Sequence, residues 1–130
     1  MKRLLLDTHV VLWWLQGSDR LKDSVVVLLK DATNEVFVSA ASVWEIAIKQ
    51  GLGKLEAPDD LLDLIEQSGF EALSISSFHA EQVGRLPLAH KDPFDRMLIA
   101  QAQAEGLILV THDEAIPSSG FRCLDPIGRP

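Results

Sequence analysis

The sequence predicts a three-layer α/β/α sandwich with a central, mainly parallel sheet, and three observations predict it. Short apolar runs of strand length alternate along the chain with segments whose apolar residues recur at helical spacing, the pattern of βα units covered on both faces. With 130 residues, 47% hydrophobic and 24% charged, the chain has the composition of one packed core. Finally, the acids Asp7 and Asp113 stand at or just beyond the ends of two apolar runs, where an open parallel sheet forms its binding crevice.

The elements follow in order. Arg3 to Leu6 reads as a short buried strand ending at Asp7-Thr8, a pair able to cap the helix expected over Val10 to Gln16. Gly17-Ser18-Asp19 breaks that helix, and Leu21, Val25, Leu28 and Leu29 mark a second over Leu21 to Lys30. Val36-Phe37-Val38 is the next strand, with Ser39 capping a third helix over Ala40 to Gln50 that Gly51 closes. Pro58-Asp59-Asp60 opens a helix to about Gln67, Gly69 ends it, and Ala72 to Ile75 reads as a strand before a helix starting at Ser76 or Ser77. Asp92-Pro93 is the clearest helix start, an N-cap followed by proline at the first position, and the apolar pattern runs to Gly106. Leu107 to Val110 is a strand, Asp113 to Ile116 a helical turn ended by Pro117, and Phe121 to Leu124 the last strand.

No repeat, low-complexity tract or linker interrupts residues 1–130, so one domain is expected, with 126–130 a loose tail. Cys123 is the only cysteine, which excludes an intrachain disulfide and a cysteine-built zinc site and fits a reducing cytoplasm. Asp7 cuts the apolar run after Lys2-Arg3 short of a signal-peptide core, and the longest aliphatic or aromatic stretch, Val10 to Leu15, is far below the roughly 20 residues a bilayer demands. A cytoplasmic protein with no membrane association is the expectation. The net charge of −7 has the wrong sign for holding nucleic acid by bulk electrostatics. That objection falls if carboxylates converge to hold divalent cations, which concentrate positive charge where a phosphate must sit.

Several acids are placed for such a role. Asp7 and Asp113 follow strands, and each has an ordinary alternative as a helix cap. Glu45 is the only acid in Ala40 to Gln50, a segment apolar almost all round, so it is expected to be partly buried. Its plain alternative is an i, i+4 pair with Lys49. Asp92 and Asp95 frame a helix start; capping requires only one, which assigns Asp92 mainly to the cap and Asp95 to the crevice. Arg96 lies either near a phosphate or an acid, or in solvent. If Asp7, Glu45, Asp95 and Asp113 converge, their oxygens suit Mg²⁺ or Mn²⁺, and the matching chemistry is phosphodiester hydrolysis by a water that the ion activates. Thr111 is then placed to orient Asp113 or that water, or simply closes a strand end.

Four segments together resemble the PIN-domain ribonucleases, and within them the toxins of VapBC-type toxin–antitoxin systems. These are Leu5-Leu6-Asp7-Thr8-His9, Ser42-Val43-Trp44-Glu45-Ile46-Ala47, His90-Lys91-Asp92-Pro93-Phe94-Asp95-Arg96 with Leu98-Ile99-Ala100, and Val110-Thr111-His112-Asp113. Each is weak singly; their order and placement on strand ends and helix starts are specific, and they span nearly the whole chain. The resemblance implies a PIN-like sandwich, a Mg²⁺ or Mn²⁺ site on Asp7, Glu45, Asp95 and Asp113, an RNA substrate, a cognate antitoxin and a homodimer. Asp92 belongs to the Asp-Pro-Phe-Asp variant and is either a fifth ligand or only a cap. Hydrolysis by in-line attack of water leaves a 5′-phosphate and a 3′-hydroxyl, with Lys49, Arg85, Lys91 and Arg96 steering the RNA.

Other classes fit less well. A PIN-like nuclease without an antitoxin and an RNA-binding module without nuclease activity remain as alternatives. A receiver-type signalling module requires paired acids after the first strand, where Asp7 stands alone. Gly51-Leu52-Gly53-Lys54 follows a helix and lacks the spacing of a phosphate loop. His9, His79, His90 and His112 show no paired spacing on one helix, which argues against a zinc hydrolase. Trp13, Trp14 and Trp44 sit in apolar segments and read as core or interface rather than as base-stacking platforms. The Val10 to Leu15 and Val25 to Leu29 runs exceed one core-facing stripe, which suggests a dimer or antitoxin surface.

Overall fold

The structure, a computed structural model, describes residues 1–87, 92–112 and 123–124. Among them the strands are β1 (Arg3–Leu6), β2 (Glu35–Ser39), β3 (Glu71–Leu73), β4 (Ile108–Val110) and β5 (Cys123–Leu124). The helices are α1 (Thr8–Gln16), α2 (Asp23–Lys30), α3 (Ala40–Gly51), α4 (Leu61–Gln67), α5 (Ser77–Val83) and α6 (Pro93–Glu105).

The strands form one sheet in the order β3-β2-β1-β4-β5, and each neighbouring pair is parallel. The chain steps outward from β1 to β2 to β3, then returns across the sheet to lay β4 on the other side of β1. That reversal creates a topological switch point between β1 and β4, where crevices form beyond the carboxyl ends of the strands. Leu6 is in register with Val110, and the Asp7 N–H extends the ladder by donating to the Val110 carbonyl at 3.1 Å.

Alternation along the strands builds two cores. Leu4 and Leu6 of β1 face one side with Val36 and Val38 of β2, packing against Val10, Val11, Trp13, Val25, Leu29, Ile46 and Ile65. Leu5, Phe37 and Leu109 face the other, against Leu98, Ile99 and Ala102 of α6. Apolar residues on both strand faces are what a sheet covered on both sides requires, and the three-layer α/β/α arrangement follows.

Local chemistry sets the boundaries. Gly17 and Gly106 end α1 and α6 in the left-handed conformation, with φ of 62° and 68°, which a side chain would strain. Ser76 and His79 form a reciprocal capping box at α5. Some expected bounds move. α1 begins at Thr8 because Asp7 itself caps it, and α2 begins at Asp23, two residues after Leu21. Gly51 is the last residue of α3 rather than its stop, and β3 covers Glu71–Leu73 rather than Ala72 to Ile75. The helical turn expected over Asp113 to Ile116 lies outside the described residues, and the last strand is described at Cys123–Leu124.

Trp13 is buried, Trp14 donates its indole N–H to Ser68 Oγ at 2.9 Å and packs on Phe70, but Trp44 is 59% exposed, edge-on to Phe94. The core reading of Trp44 is therefore corrected: on α3 it lies on the turn opposite Ile46, which takes the core position. Of the Val10 to Leu15 run, Val10 to Trp13 are buried and Trp14 and Leu15 partly so; of Val25 to Leu29, Val25 and Leu29 are buried and Val27 is exposed. Among the described residues no helix is long and apolar enough to cross a membrane.

Candidate active site

Asp7 is placed by two elements at once. It follows β1 at the switch point and caps α1, its Oδ1 accepting the Val10 N–H at 2.9 Å. Its Oδ2 accepts the Thr111 hydroxyl at 2.6 Å from the end of β4. The cap thus uses one oxygen and the bond to β4 the other. The residue is only 4% exposed, and burial pushes its carboxyl above the ordinary value of 3.8. The hydrogen bonds from Thr111 and Val10, and the positive influence of His9 and His112, pull the other way without overcoming it.

Glu45 is 5% exposed on α3 and fully engaged. Its Oε1 accepts the Thr8 hydroxyl at 2.7 Å, and Thr8 also lies 3.1 Å from Ser42 Oγ. Its Oε2 accepts from Lys49 Nζ at 2.7 Å. Both readings of Glu45 therefore hold: it is buried, and it is paired one turn on with Lys49. Thr8, adjacent to Asp7 in sequence, links the two buried acids, since the first turn of α1 lies against α3. Sequence reasoning treated Thr8 only as part of a capping pair. The available signal was a hydroxyl at the first helical position facing a helix with a single acid.

The start of α6 carries two further acids. Asp92 caps it, Oδ1 accepting the N–H groups of Phe94 at 2.9 Å and Asp95 at 3.1 Å. Asp95 lies in the first turn. The Lys49 ammonium is held above its ordinary value chiefly by its hydrogen bond to Glu45, and Asp92 and Asp95 add to the effect, so both carboxylates act on the cation that Glu45 binds. Thr8, next to Asp7 in sequence, bonds Glu45, and Lys49 bonds Glu45 while feeling the charge of Asp92 and Asp95.

The remaining candidates divide. Asp113 and Lys91 lie outside the described residues. Thr111 gives its hydroxyl to Asp7. Arg96 donates from Nη2 to the carbonyls of Val83 at 2.7 Å and Leu86 at 3.4 Å, which fastens α6 to the end of α5. Arg85 is exposed and sits 3.5 Å from Glu81, an ion pair of little energetic weight. Two histidines that the sequence showed as unrelated also converge here: a ligand atom from each of Asp7, His9 and His112 lies within 4.8 Å of the others.

Comparison with known proteins shows the family and the fold. The PIN domain family model matches residues 4–121. Ribonuclease VapC22 of Mycobacterium tuberculosis is 29% identical over 121 residues, 91% of this chain and 92% of that protein. Among solved structures, DNA-bound VapBC from Salmonella typhimurium matches at a TM-score of 0.70 and 22% identity, covering 96% of this chain and 98% of that one. VapBC2 from Rickettsia felis, bound to a promoter DNA fragment, matches at 0.69 and 18% identity over 94% and 97%. At these identities the two structures speak for the fold.

Proposed function

The chain belongs to the PIN domain family, and from that premise we propose that it is a divalent-metal-dependent endoribonuclease, the toxin of a toxin–antitoxin pair. One observation supports the reading: Asp7, at the switch point of the sheet, and Glu45 are both buried, and the hydroxyl that Glu45 accepts belongs to Thr8, the residue next to Asp7. The similarity to Ribonuclease VapC22 over nine-tenths of both chains supports RNA as the substrate, and the likeness to VapBC assemblies supports a cognate antitoxin; a homodimer is part of the same proposal.

The ligands we assign are Asp7, Glu45, Asp95 and Asp113, with Asp92 a cap that also borders the site. The donors are hard oxygens, which suits Mg²⁺ or Mn²⁺. The buried Asp7 carboxyl, whose ionised form lacks solvent, fits a site completed by a cation. When bound, such an ion supplies Lewis-acid activation of water and neutralises charge on the scissile phosphate. The protein does the positioning. Val10 N–H and Thr111 fix both oxygens of Asp7, while Thr8 and Lys49 fix both oxygens of Glu45, so neither acid reorganises as substrate arrives. Lys49 places a positive charge among the acids, where it offsets repulsion of the RNA phosphates.

The test is cleavage of a labelled RNA pool in Mg²⁺, Mn²⁺ or EDTA by antitoxin-free protein, Asp7→Asn and Asp95→Asn. Metal-dependent cutting that leaves 5′-phosphate ends and disappears in both variants is expected. Cleavage in EDTA, or 2′,3′-cyclic phosphate ends, overturns the mechanism.

A further inference from the structure

The acidic centre does not use His9 or His112, yet both stand beside it. His9 is the second residue of α1 and His112 the second residue after β4, so the switch point that positions Asp7 also brings the two imidazoles together. Their rings meet edge-on, 87° between planes and 5.4 Å between centroids, and both border the Trp13 indole, at 6.1 Å for His9 and 4.9 Å for His112. A donor atom of each lies within 4.8 Å of an Asp7 oxygen and of the other. Independently, His112 Nδ1 is buried without a hydrogen-bond partner among the described residues. A buried polar nitrogen left so costs about 1–3 kcal/mol and calls for an explanation such as an ion.

We propose that Asp7, His9 and His112 form a second metal site, a two-histidine, one-carboxylate set that takes a Zn²⁺-class transition-metal ion rather than Mg²⁺. Imidazole nitrogen is a good ligand for Zn²⁺ and its neighbours, whereas Mg²⁺ selects oxygen. Three protein ligands leave one tetrahedral position for water, the coordination of reactive rather than purely structural zinc sites. The geometry is within reach: a tetrahedral ion with bonds of about 2.0–2.1 Å holds its ligands about 3.4 Å apart, so each donor moves inward by less than about 1 Å. His9, exposed on the first turn of α1, has room to move, while the hydrogen bonds to Asp7 from Val10 and Thr111 hold the carboxylate in place. Asp7 would then belong to both metal sites, making the zinc-class ion a direct modulator of the acidic centre.

The proposal goes beyond the nuclease reading and is tested without it. EDTA-stripped protein, His9→Gln and His112→Gln are titrated with Zn²⁺ by calorimetry and with Co²⁺ followed by visible absorption, and with Mg²⁺ in parallel. Thermal melts establish that each variant is folded. One Zn²⁺ per chain is expected, with Co²⁺ ligand-field bands, an affinity loss of at least about 10-fold in each histidine variant, and unchanged Mg²⁺ binding. Zn²⁺ binding as tight in both folded variants as in the unaltered chain, or no Zn²⁺ binding at all, overturns the site. Neither result depends on whether RNA is cut.

Discussion

Thr111, one residue beyond β4, donates its hydroxyl to Oδ2 of Asp7, one residue beyond β1, at 2.6 Å. The two residues are 104 positions apart, and the parallel pairing of Leu6 with Val110 makes them neighbours. This bond opposes the effect of burial on Asp7, so it holds the carboxylate nearer to its ionised, cation-binding form.

Thr111→Val removes that opposition. The Asp7 carboxyl then moves further above its ordinary value, and the acid limb of the pH profile for RNA cleavage shifts to higher pH, while Thr111→Ser restores it. The profile of initial rates in Mg²⁺ checks this; an unshifted limb in folded Thr111→Val protein refutes the coupling.

Asp7→Asn separates stability from activity. Because the folded-state value of Asp7 is raised above 3.8, the native protein binds its proton more tightly than the unfolded chain does. Its favourable contribution is present below 3.8 and is lost as pH rises through the folded value, leaving a penalty at neutral pH. Asn keeps the cap and carries no charge. In metal-free buffer at pH 7 the variant should melt no lower than the unaltered chain, with any advantage vanishing at acid pH, and cleavage should be abolished. Thermal melts across pH measure the first part.

Thr8→Val strands Glu45 Oε1, a buried acceptor, and leaves Ser42 without the same hydroxyl. A loss of about 1–3 kcal/mol in unfolding free energy is expected, with Thr8→Ser recovering most of it. Denaturant unfolding of the three proteins is the measurement, and equal midpoints would show that the bridge carries no weight.

The two acids of α6 should part company. Asp92→Ala loses a cap and about 1 kcal/mol, and Asp92→Asn keeps it within a few tenths. Asp92→Asn is expected to retain cleavage, whereas Asp95→Asn loses it by at least about 100-fold, comparable to removal of other single groups that stabilise a transition state. Abolished cleavage in a stable Asp92→Asn protein would make Asp92 a ligand.

Lys49→Gln tests whether the Glu45 pair is structural. The lysine is half-exposed but its partner Glu45 is buried, so losing the ammonium from Oε2 should cost about 1–3 kcal/mol in unfolding free energy, less where the Gln amide still reaches that oxygen. With its positive charge gone from the acidic face, RNA binding should weaken, as read by the KM for a short oligonucleotide.

Much of this molecule was legible in the chain itself. Alternation of Leu4, Leu5 and Leu6 between two cores, the Ser39 and Asp92 caps, and glycine stops at Gly17 and Gly106 are local rules, set within a few residues, and they yield the α/β layers and the strand-end position of Asp7. The single acid within apolar α3 already marked Glu45 as partly buried, and the structure buries it fully. What only the tertiary structure decided depends on contacts between distant segments. The return of the chain to lay β4 beside β1 put the Thr111 hydroxyl on Asp7 and His112 against His9, although no spacing along the sequence relates them. The packing of α1 on α3 turned Thr8 from part of a cap into the link between two acids, and the packing of α5 on α6 drew Arg96 onto backbone carbonyls. Periodicity reports which face of an element is buried; which partner meets that face is determined by the order of strands in the sheet, and there the long-range chemistry of the site is assembled.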